Sequence, residues 1–90
     1  MNTTLCIPRM KSKTNKRFIE STLNKCKFGK INSIVERPLY DNNDYKTVTI
    51  RLKIDPTTEY GENLMLNIKN GISTKIVYDK YDFWKMVIAH

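Results

Sequence analysis

The chain has 90 residues, 40% hydrophobic and 28% charged, with a net charge of +7. That is the size and composition of one small globular domain rather than a disordered chain. No apolar run approaches the roughly 18 residues a membrane helix needs, and no signal-peptide core opens the chain, so a soluble intracellular protein, cytoplasmic or nuclear and not membrane-bound, is expected.

Residues 3–8 read as a first strand, with Leu5 and Ile7 turned to a core and Thr4 and Cys6 on the opposite face. Pro8 lacks a donor and suits the strand's end. Residues 10–14 form a polar, lysine-rich connection to a helix. Thr14 or Asn15 is the expected N-cap and Gly29 the C-terminal stop. Phe18, Ile19, Thr22, Leu23 and Cys26 share one arc of that helix, and Lys16, Arg17, Glu20, Lys25 and Lys27 the other.

Residues 29–36 read as a second strand whose apolar positions, Ile31, Ile34 and Val35, alternate irregularly. A bulge or a fully covered edge would account for that. A loop over residues 38–44 leads to the clearest signal in the chain, DYKTVTIRLKID at 44–55. Val48, Ile50 and Leu52 alternate with Thr47, Thr49, Arg51 and Lys53, as in a half-buried strand with one apolar and one hydroxyl-and-cationic face. This is the expected central strand.

Thr57 or Thr58 can then cap a second helix reaching Asn70, which buries Tyr60, Leu64, Met65 and Ile68, is slightly weakened by Gly61, and ends at Asn70-Gly71. Residues 73–79 make the last strand, with Ile76 and Tyr78 inward and Lys75, Val77 and Asp79 outward. The remaining tail, with Phe83 and Trp84 followed by Met86, Val87 and Ile88, is too apolar to stay free and should pack as a short strand or turn. The order β-α-β-β-α-β plus tail predicts an α+β, ferredoxin-like fold: a four-stranded antiparallel sheet with both helices on one face. One domain covers residues 1–90, with its core at 3–79 and the packed tail at 80–90.

Charge is concentrated in one segment. Arg9, Lys11, Lys13, Lys16, Arg17, Lys25, Lys27 and Lys30 meet only Glu20, eight minus one, which accounts for the whole excess of +7. A polyanion is the natural partner of such a segment; a solvated face kept for solubility is the plain alternative. Cys6 and Cys26 face opposite ways and lack metal-ligand spacing, and His90 stands alone, so reduced thiols, no disulfide, no metal and no cofactor are expected.

The chain resembles the RNA-recognition-motif family over nearly its whole length. Leu5-Cys6-Ile7-Pro8-Arg9-Met10 falls where the family's first signature strand lies, Phe28-Gly29-Lys30-Ile31 is similar to its helix-to-strand junction, and residues 47–52 fall on its second signature strand. Two shorter stretches, Leu5-Cys6-Ile7-Pro8-Arg9 and Lys75-Ile76-Val77-Tyr78-Asp79 with Phe83-Trp84-Lys85, resemble the small RRM-like proteins of nucleocytoplasmic large DNA viruses, which would place the protein in a host cell or virion.

The family's second signature runs K/R-G-F/Y-G/A-F-V-x-F/Y. Placing Val48, Ile50 and Leu52 on its buried positions puts Thr47 and Thr49 on the two stacking positions, with Cys6 as their first-strand counterpart. A two-residue shift is rejected because it would bury Lys46. Family members stack bases on aromatics at those positions; this chain has none there, and stacking is worth roughly 1–3 kcal/mol per base.

The resemblance therefore implies a nucleic-acid binder, of single-stranded RNA or DNA, that relies on basic groups: Arg51, Lys53 and Lys75 on or beside the sheet, with Arg9, Lys11 and Lys13 from the adjoining loop, around Thr47 and Thr49. Tyr45 or Trp84 could supply a ring, and packing into the core is the alternative for Trp84. No nucleophile motif, phosphate loop or metal motif is present, Asp41 and Asp44 read as a solvated turn, and Ser33 and Ser73 have no identifiable base, so no enzyme is expected. The competing function is a protein-interaction or structural module that docks a partner, or a second copy, through the threonine-rich face and the apolar tail.

Overall fold

The alternating run around Ile50 forms a ten-residue strand in the computed structural model, which describes residues 2–89. His90 lies outside the described residues. The elements are β1 (Asn2–Lys11), α1 (Lys16–Lys25), β2 (Gly29–Pro38), β3 (Tyr45–Ile54), α2 (Glu59–Lys69), β4 (Thr74–Val77) and β5 (Phe83–Ile88). They build an antiparallel five-stranded sheet in the order β2-β3-β1-β5-β4.

Five strands replace the expected four because the supposed tail is β5. It pairs with β1 through Leu5↔Ile88 and Cys6↔Val87, and with β4 from Thr74↔Met86 to Val77↔Phe83. β3 is interior, as its pattern requires, but the middle strand of the sheet is β1. The predicted last strand shrinks to the four residues of β4 at the edge, leaving Tyr78 beyond its end.

Two bulges explain where simple alternation fails. In β1 the register with β3 shifts between Ile7 and Met10. The strand therefore continues past Pro8 to Lys11, and Met10, expected in a polar connection, is 1% exposed. In β2 the shift falls between Ile31 and Ser33, so Ile31 and Ile34 both face the core while Val35 faces away. Of the two explanations open for that strand, the bulge holds.

Both helices cover the same face. Ile19 and Leu23 of α1 and Leu64 of α2 join one cluster with Leu5, Ile7, Val48, Ile50, Leu52, Ile76, Trp84 and Met86. Asn15 is the N-cap of α1, its side chain accepting from the Phe18 amide at 2.8 Å, and Thr58 caps α2 by accepting from the Gly61 amide at 2.9 Å. The turn after α1 is made by Lys27 at φ 54°, not by Gly29, which instead starts β2. A Cβ on Gly29 would meet the Lys53 carbonyl oxygen at 2.0 Å. Gly61, expected only to weaken its helix, is similarly required: a Cβ there would lie 1.9 Å from the Asp55 carbonyl oxygen, where α2 passes the chain end of β3.

Several residues expected inside sit further out. Phe18 and Tyr60 are 43% and 55% exposed, and Tyr78, Met65, Ile68 and Ile31 are only partly buried. Lys46 does the reverse. It shares the core-facing parity of Val48 and Ile50 and is 8% exposed, yet its amine is satisfied by the Glu36 carboxylate and the Thr14 carbonyl. Buried charge is tolerated when it is paired and hydrogen-bonded in this way.

Trp84 packs inside, with its ring stacked on Tyr78 at 4.5 Å and edge-on to Phe18 at 6.0 Å. It is 3% exposed. The single tryptophan should accordingly emit as a buried, blue-shifted indole in dilute protein; the spectrum of a hydrated indole would remove β5 from the sheet.

Candidate nucleic-acid interface

The face of the sheet away from the helices is uncovered, and strand parity decides what stands on it. β3 presents Tyr45, Thr47, Thr49, Arg51 and Lys53 there. Opposite them β1 presents Lys11, Cys6 and Thr4, and Arg9 leans over from the bulge with its guanidinium 4.0 Å from the Tyr45 ring centre. β2 adds Arg37 opposite Thr47, Val35 opposite Thr49, Ser33 opposite Arg51 and Lys30 opposite Lys53. On the far side β5 contributes Phe83, Lys85 and Val87, and β4 contributes Lys75 and Val77.

The cations on this face are Arg9, Lys11, Lys30, Arg37, Arg51, Lys53, Lys75 and Lys85, half of the 16 in the chain. Among the described residues no carboxylate shares it. Glu36, the only acid within a strand, points to the helix side beside Val48 and is paired with Lys46; the others lie on the helices or in loops. That pair is the one salt bridge among the described residues. A face carrying one sign of charge, unneutralised from within, attracts polyanions over a distance set by ionic strength.

Aromatic rings on this face are confined to one end. Tyr45 begins β3 and Phe83 begins β5, beside the end of β1, and both line a single cleft with Pro8, Arg9, Met10, Lys11 and Lys85. Each ring carries a cation over it: Arg9 on Tyr45, and Lys75 on Phe83 at 4.9 Å. Arrangements of this kind hold a positive charge by the ring's quadrupole without neutralising it.

The middle of the face is hydroxyl-rich. Thr49 stands directly opposite Cys6, and Thr47 donates from Oγ1 to the Pro8 carbonyl at 3.0 Å. Burial pushes the Cys6 thiol up from its ordinary value, so it is a poor nucleophile at neutral pH. Both cysteines are free, Cys26 packing against the core and Cys6 on the open side. Among the described residues no group of three or more His, Cys, Asp or Glu side chains could hold a metal ion, and no helix is long and apolar enough to cross a membrane.

Of the residues singled out from the sequence, Arg9, Lys11, Tyr45, Thr47, Thr49, Arg51, Lys53 and Lys75 share this one face. Lys13 does not; it is exposed in the turn beyond β1. Trp84 is in the core, and its neighbour Phe83, 43% exposed, is the ring that reaches the open side. Lys30, Arg37 and Lys85 were missed as members of the face. The signal for Lys85 was present in FWKMVI, which alternates with period two once it is read as a strand.

No family model, curated protein or solved structure matches the chain.

Proposed function

We propose that the protein binds single-stranded nucleic acid, RNA or DNA, across the open face of its sheet, as an RRM-like domain that draws its affinity chiefly from phosphate contacts. The observation that carries this reading is the face itself: its eight cations, named strand by strand above, stand among threonines with no acidic side chain of the described residues between them. Like charges gathered on one surface repel one another, and a bound polyanion relieves that repulsion. With β4 set aside as an added edge strand, the order β2-β3-β1-β5 is that of a ferredoxin-like sheet, which supports the RRM-like reading.

The positions where the family stacks bases hold Cys6, Thr47 and Thr49, so little sequence preference is expected. The protein-interaction reading drew in part on an exposed apolar tail, and Trp84 and Met86 of that tail are 3% and 1% exposed.

A salt titration of binding to single-stranded RNA, single-stranded DNA and duplex tests the proposal. Affinity for a single strand should fall steeply with salt, the logarithmic slope gaining about 0.7 for each phosphate contacted. Absence of binding to all three at low salt would transfer the face to a protein partner.

A further inference from the structure

Charge covers the whole open face, but exposed rings occur at only one end of it. Phe83 stands 43% exposed while its neighbours in β5, Trp84 and Met86, are buried. The part of this ring that stays exposed, with Lys75 over it and Arg9 and Lys85 in the same cleft, leaves apolar surface for a ligand to cover. Tyr45 is half-buried and has the Arg9 guanidinium over its ring, 4.0 Å from the centre. Both a partly exposed ring and an arginine held over a ring are surfaces on which a nucleobase stacks, and a base on Phe83 would share that ring with the Lys75 amine already 4.9 Å from its centre.

Their separation bears on the ligand. Tyr45 is on β3 and Phe83 on β5, with β1 between them, which places the two platforms two strand spacings apart, about 10 Å. Successive residues along one strand of a duplex rise by only ~3.4 Å, and there each base face is already covered by its neighbour. A duplex cannot offer bases to both platforms. A single strand whose bases are splayed apart can, with Lys11 and Lys85 beside the cleft for its phosphates.

Resting on the nucleic-acid reading above, we infer that the Tyr45–Phe83 end of the sheet is a base-stacking site for single strands. It takes one unpaired base on the Arg9–Tyr45 platform and another on Phe83. The site lies away from Cys6, Thr47 and Thr49, so the lost aromatics of the middle of the sheet are replaced at its end.

The test compares three probes at one salt concentration by fluorescence anisotropy: short oligo(dT), an abasic deoxyribose-phosphate strand of the same length, and duplex DNA. The wild-type protein should prefer oligo(dT) to both others by on the order of 10-fold or more. Phe83→Leu and Tyr45→Leu keep apolar bulk but remove the ring, and each should bring oligo(dT) down towards the abasic strand. A thermal melt of each variant establishes that it is folded. Equal wild-type affinity for oligo(dT) and the abasic strand, or undiminished discrimination in both leucine variants, overturns the stacking site while leaving polyanion binding intact. Failure to bind any of the three probes at low salt overturns the nucleic-acid reading itself.

Discussion

Arg51→Glu together with Lys75→Glu should abolish binding of single-stranded nucleic acid at physiological salt, whereas Lys16→Glu with Lys25→Glu should weaken it only a few-fold. Both pairs change the net charge by the same amount, so the comparison isolates position. Arg51 stands on the open face between Thr4 and Ser33, and Lys75 stands beside Lys85 and over Phe83. Lys16 and Lys25 lie at the two ends of α1, which covers the other side of the sheet. Losing two phosphate contacts should also lower the salt slope by about 1.4, at ~0.7 for each contact with a single strand. A larger loss from the helix pair would mean that overall charge density, not the sheet, selects the ligand. Binding indifferent to both pairs would favour a protein partner instead.

The second large effect concerns the fold. Ile50→Asp should leave no cooperative thermal transition. Ile50 is 1% exposed, flanked by Leu5 on β1 and Ile34 on β2 beneath the helices. Removing it forfeits roughly 1.5–3 kcal/mol of burial, and the carboxylate that replaces it has no cation to meet there. Burying an unpaired charge costs several kcal/mol more. A domain of this size stands towards the lower end of the usual ~5–15 kcal/mol, so the two losses together exceed what it has. A variant melting close to the wild type would show that β3 does not occupy the interior of the sheet.

How much of this was legible in the sequence depended on whether a residue's place was set locally. Val48, Ile50 and Leu52 alternate because β3 has one dry face, and the side-chain oxygens of Thr14-Asn15 and Thr57-Thr58 mark the helix starts to within one residue, Asn15 and Thr58 being the caps. Their positions follow from neighbours a few residues away. Met10, and the irregular spacing of Ile34 and Val35 after Ile31, could not be resolved in that way, because each lies beside a bulge, and a single extra residue reverses the face of everything beyond it. Lys46 looked too costly to bury until Glu36, from the neighbouring strand, and the Thr14 carbonyl came within reach of its amine. Gly61 read as a blemish in a helix, since the Asp55 carbonyl that excludes a Cβ is visible only when α2 is folded back against the end of β3.

The site shows the same division. Parity along β3 was enough to put Thr47, Thr49, Arg51 and Lys53 on one surface, and the pairing of β1 with β3 added Lys11. Phe83 and Lys85 depended on β5 entering the sheet at all, and Arg9 depended on the bulge that swings it over Tyr45. Proximity across strands distant in the chain is a tertiary fact, and the composition of any one segment does not contain it.

The placing of β5 sets a condition on how the chain reaches this state. β1 is the first strand of the described chain and stands at the middle of the sheet, while its second neighbour is the last. Leu5 pairs with Ile88 across 88 − 5 = 83 positions. The entropy of closing so long a loop rises only logarithmically with its length, but it must be met before the pairing returns anything. Until then β1 is itself an edge, with unpaired amides and carbonyls that any extended chain could satisfy. If β1 joins β3 before β5 arrives, that interval is when intermolecular strand exchange competes with folding, independently of the final stability of the domain.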